Sequence, residues 1–387
     1  MHGSGILGRL VAVAAAGALV LLPTAPGQAA AEPVTAEAAA TAKLLAGANG
    51  AEASDTVVTV TRRSGGGWAF GTAVLRAPAL AGAYPQGWLF LAQQRGGRWS
   101  VAFEGERSFG ALATRAPMLS GVERRAFKGS GDVSPQYANG DYRTGMRLPF
   151  ATGQSWTMTG GPHGWAGYNT PYSSIDLSGG DQVVRAPRGG TAYTMCKGWV
   201  RVVHDRGYAT DHYHLWSNIN VNGASVGAGA YLGYTGTDVT CGGAASGRHV
   251  HFALRQNSAY VPIANHIIGK WTPYNGGSAY GGYALHGSRR VNAGGALYNY
   301  GALGFTQGIV DTNGGTSLNK RGGPGTNYGI VGSVSDGATV SVACSRNGTS
   351  HTGRFGTTSL WNKLTDGSWV SDAYLATGVN GPVNGWC

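Results

Sequence analysis

The sequence predicts a mainly β protein built from antiparallel sheets, with one small α+β unit on its N-terminal side. Three observations carry that prediction. Glycine, tryptophan and tyrosine are abundant (67, 11 and 18 residues). Long helix-forming stretches are scarce, and turn signals recur between short apolar runs, as expected of strands joined by tight turns. At 387 residues, the chain has length for two or three domains.

Along the chain, Arg9 precedes an apolar run from Leu10 to Leu22, and Pro23 to Ala31 ends in small residues. That pattern predicts a secretory signal peptide over 1–31, cleaved after Ala29, Ala30 or Ala31. Its apolar core is too short for a membrane span, and no later segment approaches about twenty uninterrupted apolar residues. The expected mature protein is secreted, extracellular and free of the membrane. Residues 32–128 hold all six glutamates and no cysteine. There "EAAATAKLLAGA" predicts a short helix, and "GWLFLAQQRGGRWSVAFEG" predicts a hairpin turned at Arg95-Gly96-Gly97. The polar stretch "FKGSGDVSPQYANGDYRTG" reads as a processing linker.

Residues 129–285 form the next domain, with the linker at its N-terminal end; from about 140 to 285 it reads as hairpins, one of them turned at Asp205-Arg206-Gly207. Residues 286–303 read as a linker within a glycine-rich stretch. From 304 to 387, short strands with turns every eight to twelve residues predict a small barrel. The four cysteines form an even set in an exported chain, so disulfides are expected. A domain boundary between Cys241 and Cys344 favours the pairs Cys196–Cys241 and Cys344–Cys387. The formal charge of +11 suits a polyanion. The basic residues are scattered, however, with no Lys/Arg run longer than two. An anionic bacterial envelope explains that charge as well as nucleic acid does, and no nucleic-acid partner is expected.

The densest chemistry lies in "GRHVHFAL". In a strand His249 and His251 share one face, while Val250, Phe252 and Leu254 share the other. An isolated pair of this kind is often only a surface feature. Here, however, six of the ten histidines fall between 163 and 251, with Asp176 among them. A catalytic zinc site needs three nitrogen or oxygen ligands and an open position; His163, Asp176 and one histidine of the pair supply such a set. No glutamate follows Glu123 and no H-E-x-x-H occurs, so a helix-borne zinc site with a glutamate base is excluded from 129–387. A leftover histidine of the pair, with His214, can orient water and steady an oxyanion. His212 is expected to share a face with His214, and His204 to end a strand before a turn; both read as structural.

"GGPHG", "PYSSID", "DHYHL" and "GRHVHFAL", in that order, resemble the secreted peptidoglycan zinc endopeptidases of the lysostaphin, staphylolysin and beta-lytic group. The resemblance covers roughly 145–285. "LNKRGGPGTNYGIVGSVSDG" and "WNKLTDGSWVSDAYL" are similar to bacterial SH3-like modules. The resemblance implies an antiparallel β-sheet zinc peptidase domain plus a small SH3-like β-barrel; the α+β unit over 32–128, lying between signal peptide and enzyme, reads as a propeptide domain. It implies His163, Asp176 and His251 as ligands of one Zn2+ per chain. His249 and His214 take catalytic roles, as base and oxyanion partner or exchanged, and Tyr280 steadies the oxyanion. Arg248 replaces the family's proline before the first histidine, which affects the local loop. The implied activity is bacteriolytic hydrolysis of glycyl bonds in peptidoglycan cross-bridges, by a zymogen that matures to a monomer. The alternative is an inactive wall-binding protein that acts through the SH3-like module.

Overall fold

The computed structural model describes residues 34–129 and 139–387. The expected signal peptide, and 130–138 of the expected processing linker, lie outside the described residues. No described helix is long and apolar enough to cross a membrane.

The N-terminal region opens with helix α1 (Ala36–Ala46), where Thr35 accepts from the Ala38 amide at 3.1 Å as N-cap. A four-stranded antiparallel sheet follows: β1 (Thr56–Ser64), β2 (Trp68–Leu75), β3 (Gln86–Arg95) and β4 (Arg98–Phe103). The β3–β4 turn falls at Gly96-Gly97, as the sequence reading anticipates, and both glycines have positive φ. Two short helices complete the region, α2 (Arg107–Ala113) and α3 (Gly121–Phe127), the latter with a Ser120/Glu123 capping box. Helix α1 buries Ala36, Ala40 and Leu44 on one face of this sheet. The other face carries Phe70, Val74, Leu89 and Leu91, which pack in one cluster with Tyr193, Met195, Trp199 and Tyr213 from the next sheet.

That second sheet has nine strands: β5 (Ser155–His163), β6 (Ser174–Ser178), β7 (Gly190–Cys196), β8 (Trp199–Val203), β9 (Tyr208–Tyr213), β10 (Asn222–Val226), β11 (Val250–Gln256), β12 (Ala259–Tyr260) and β13 (Ala296–Tyr298). Their spatial order is β10-β7-β8-β9-β11-β6-β5-β13, with β12 paired to β11. Period-two alternation sorts the side chains: Val200, Val202, Ile175, Leu177, Val250, Phe252 and Leu254 enter the main core. The opposite face therefore carries His251, Asp176, Arg201, Asp211 and Tyr213 through the registers His251↔Asp176, Tyr213↔His251 and Arg201↔Asp211. Both expected disulfides are present, Cys196–Cys241 and Cys344–Cys387.

Residues 286–303, expected to be a linker, are instead ordered structure. Tyr283–His286 and Arg289–Asn292 pair as a hairpin, and β13 adds to the edge of the nine-stranded sheet beside β5. Buried Ala284, Val291 and Leu297 explain the difference, because they join the main core despite the glycines around them. C-terminal to this, a seven-stranded sheet is formed by β14 (Gln307–Val310), β15 (Ser317–Arg321), β16 (Ile330–Ser335), β17 (Thr339–Gly353), β18 (Gly356–Leu364), β19 (Trp369–Ser371) and β20 (Leu375–Ala376). It has its own small core around Val310, Val342, Leu364 and Val370.

His204, His212 and His266 are buried away from Asp176. Burial holds His204 down to about 3, and His212 and His266 down to about 4. Each is neutral in the folded protein, while the unfolded chain takes up protons near pH 6.5. Their contribution is complete above that pH and is lost as pH falls toward about 4. The melting temperature is expected to decline steadily from pH 6.5 to 4.5, above the range where ordinary carboxylates titrate. A flat profile over that window would show that these rings are not held neutral.

Candidate metal centre and active site

The centre is assembled across three neighbouring strands. On β11, His251 stands directly opposite Asp176 of β6, and Asp176 in turn faces Gly160 of β5. The register of β5 shifts twice, between Met158 and Gly160 and between Gly160 and His163, and the irregularity re-aims His163 toward Asp176. Gly160 is needed for close approach: a Cβ there would stand 2.7 Å from Asp176 Oδ2. At Gly161 a Cβ would run into the Gly281 carbonyl. The glycines of "GGPH" thus let one strand lie against both a carboxylate and the loop carrying Tyr280.

The donor atoms converge tightly. His163 Nε2 is 3.1 Å from His251 Nδ1 and 3.5 Å from Asp176 Oδ1, and His251 Nδ1 is 2.9 Å from Asp176 Oδ1. All three residues are buried. His163 Nδ1 donates to the Gly161 carbonyl at 2.7 Å, so in the neutral tautomer Nε2 is the lone-pair atom and faces the other two donors. Burial holds the His251 ring down to about 4, so it too is neutral near pH 7. Three lone pairs facing one another in a buried space call for a cation. Three ligands at about 2.0–2.1 Å from one tetrahedral zinc stand roughly 3.3 Å apart, so this nitrogen–nitrogen–oxygen set fits the ion.

Two further imidazoles flank the set. His249 Nδ1 donates to the Gly247 carbonyl at 2.7 Å, and His214 Nδ1 to the Asp238 carbonyl at 3.0 Å. Each Nε2 is buried and makes no hydrogen bond, and in the neutral tautomer it is the acceptor. The two rings lie 4.8 Å apart, and His249 Nε2 is 3.7 Å from Asp176 Oδ1. Burial holds His214 down to about 3. Tyr280 stacks on His163 at 4.0 Å. His214 and Tyr280 both sit at positive φ (68° and 65°), a conformation that costs a non-glycine residue about 1–3 kcal/mol and concentrates at functional sites.

All six residues singled out from the sequence therefore gather in one place. One detail is corrected. His212 does not share a face with His214: it points into the main core beside Phe252, with Nδ1 on the Val200 carbonyl at 3.3 Å. The left-handed φ at His214, one residue past the end of β9, swings that ring to the opposite side. His204 is also structural, held between the Gly189 carbonyl and Thr210 at 3.0 Å each. Arg248 turns outward to the Thr235 carbonyl at 3.0 Å and stacks over Trp216. The sequence reading missed Tyr84, whose ring stacks on His251 at 4.6 Å, and Trp165, 5.0 Å away on the same imidazole. No local pattern marks Tyr84; only the aromatic density of "GAYPQGW" hints at it.

The chain is mainly β and presents two imidazoles and a carboxylate to one point, a donor set that suits a divalent metal ion, with two further imidazole nitrogens beside it. No family model matches the chain. It is 34% identical over 146 residues to Protease LasA of Pseudomonas aeruginosa, covering 35% of each chain. It is 29% identical over 147 residues to the beta-lytic metalloendopeptidase of Lysobacter enzymogenes, covering 35% of this chain and 82% of that one. Among solved structures, the M23 metalloprotease pseudoalterin is 34% identical over 40% of this chain and 97% of its own, with a TM-score of 0.38. Over this matched third the chain is similar to LasA and to the beta-lytic metalloendopeptidase. It spans about a third of the length of Protease LasA.

The packing at Gly161 makes a direct prediction. Gly161→Ala should lower unfolding free energy by about 1–3 kcal/mol by displacing the Tyr280 loop. Gly227→Ala, where a Cβ meets nothing within 4 Å, should stay within about 0.5 kcal/mol of wild type. Denaturant unfolding of both variants checks this.

Proposed function

We propose that this chain is a secreted zinc metalloendopeptidase that hydrolyses peptide cross-bridges of bacterial peptidoglycan, with glycyl bonds preferred. The observation that carries the reading is the convergence of His163 Nε2, Asp176 Oδ1 and His251 Nδ1 beside two unpartnered imidazole nitrogens. A zinc ion held by those three atoms supplies Lewis acidity and water whose pKa falls to about 7.

The chain's own residues do the rest. The Gly161 carbonyl fixes the His163 tautomer, and Asp176 contributes the negative charge of the set. His249, with Nδ1 anchored on Gly247, presents Nε2 as the acceptor for a proton from the attacking water. His214, anchored on Asp238, holds its Nε2 on the same side, where a proton drawn from solvent as negative charge develops beside it lets it donate to the oxyanion. The pair can exchange these duties, since both are oriented by a carbonyl through Nδ1. Tyr280, stacked on His163, brings a phenol to the same space for the oxyanion.

Substrate preference follows from the family resemblance and from physical fit, since a glycine-rich strand has no side chains to obstruct a narrow groove. The two disulfides support an extracellular site of action. The C-terminal seven-stranded sheet is read as an SH3-like wall-binding module that concentrates the enzyme on insoluble substrate. Its Trp361 and Trp369 are buried and serve packing. A cavity of about 240 Å³ lined by Asn319, Arg321, His351 and Tyr374 is the place for a wall fragment.

Purified protein should carry about one zinc per chain, and His163→Ala or Asp176→Ala should bring that close to zero by elemental analysis. The secreted, processed protein should clear suspensions of Gram-positive cells, and chelation should stop it. His249→Ala should retain zinc but lose about 10²–10⁴-fold in kcat. Clearing that survives complete removal of metal would contradict the proposal.

A further inference from the structure

Between 155 and 300, every large hydrophobic side chain left exposed is aromatic: Tyr168, Trp216, Tyr231, Tyr234 and Tyr298. Single exposed apolar groups need no explanation, whereas a contiguous patch marks a binding surface. Trp216, Tyr231 and Tyr234 adjoin one another. The Trp216 amide donates to the Tyr234 carbonyl at 2.9 Å, and the Tyr234 amide returns to the Trp216 carbonyl at 2.8 Å. Residues directly opposite in such a pair project to the same side. Tyr231 meets Tyr234 edge-on with ring centroids 5.6 Å apart, and its hydroxyl donates to the Ser217 carbonyl at 2.7 Å.

This platform is continuous with the active site. A Cβ on Gly236 would stand 2.5 Å from Cγ and Cδ1 of the Trp216 indole, so the ring lies against bare backbone. Gly236 is itself bonded to His249, amide to carbonyl in both directions at 3.0 and 3.1 Å. One strand spacing, about 4.8 Å, therefore separates the backbone under the indole from the backbone that carries His249. Arg248, next to His249, places its guanidinium over the Trp216 ring at 5.0 Å, with Nε donating to the Thr235 carbonyl at 3.0 Å. The surface lies open in the full chain, Trp216 being 43% and Tyr234 40% exposed. A protein-binding patch would be expected to show exposed aliphatic side chains. Rings flanked by an N–H donor suit a saccharide instead, whose C–H faces stack on aromatics while its hydroxyl and amide groups take hydrogen bonds.

We propose that Trp216, Tyr234 and Arg248 form a saccharide subsite on the rim of the metal centre, which takes the N-acetylhexosamine backbone of the wall. This deepens the peptidoglycan reading of the site and rests on it. The indole and the phenol supply stacking, and the Arg248 guanidinium donates to an acetamido carbonyl. Tyr231 is a positioning residue: pinned on Ser217, it fixes the ring of Tyr234. A cross-bridge still attached to its saccharide then engages the rim and the metal centre together, and the second contact forms at high effective concentration. A bare peptide engages the metal centre alone.

The test uses the full chain, with chitotetraose, an oligomer of N-acetylglucosamine, as probe and calorimetry as readout. Trp216→Ala should weaken binding about tenfold, and Tyr234→Ala and Arg248→Ala about fivefold each, the loss of one stacked ring or one hydrogen bond. Trp216→Phe, which keeps a ring, should stay within about threefold of wild type. No binding by wild type, or equal binding by wild type and Trp216→Ala, would overturn the inference. A wild-type measurement stands independently of how the variants fold: saturating chitotetraose should slow hydroxyl-radical oxidation of Trp216 and leave that of Trp386, 61% exposed, unchanged. Unchanged oxidation of Trp216 with the probe bound would overturn the inference. So would protection by hexaglycine and not by the saccharide, which would assign the rim to peptide. Chitotetraose bound at Trp216, with no hydrolysis of pentaglycine by the secreted, processed protein, would uphold the subsite while refuting the peptidase reading.

Discussion

Three lone pairs meet in a buried space that offers them no proton donor, and much of the surrounding structure serves to hold them there. His163 Nε2, Asp176 Oδ1 and His251 Nδ1 lie 2.9–3.5 Å from one another. Left without a cation, such a cluster pays desolvation without electrostatic return. With a divalent ion at its centre, every orienting contact becomes favourable. The Gly161 carbonyl selects the His163 tautomer, the cross-strand register sets His251 against Asp176, and Gly160 leaves room for the carboxylate.

The nine-stranded sheet keeps two kinds of face apart. One face is apolar and supplies the main core; the other is a floor of ionisable and aromatic groups. On that floor Arg201 is matched by Asp211 at 2.8 Å and Glu104 at 2.6 Å, all buried. A buried guanidinium needs such partners, because breaking the set leaves an uncompensated charge. Glu104 belongs to the N-terminal region, so charge balance in the nine-stranded sheet is completed by a segment outside it. The shared cluster of Phe70, Leu89, Tyr193 and Trp199 binds the same two parts through apolar contact.

Much of the site was legible in the sequence because its signals are local. Alternation put His249 and His251 on one side, the Asp205-Arg206-Gly207 turn marked a hairpin, and four short motifs in order named the family. Three features were not legible, each for a physical reason. The left-handed turn at His214 defeats the period-two rule, which assumes the strand continues. The glycine-rich stretch over 286–303 looks like a linker, yet its few apolar residues find a core that only the folded chain supplies. Tyr84 reaches His251 across 167 positions of sequence, and no pattern near either residue encodes that contact.

The central claim is that two imidazoles and one carboxylate share a single zinc. X-ray absorption at the zinc edge of the loaded protein tests it most directly. The account predicts a first shell of nitrogen and oxygen at about 2.0–2.1 Å, with outer-shell scattering from two imidazoles and no sulfur. A shell containing sulfur near 2.3 Å, or one lacking imidazole scattering, would contradict it.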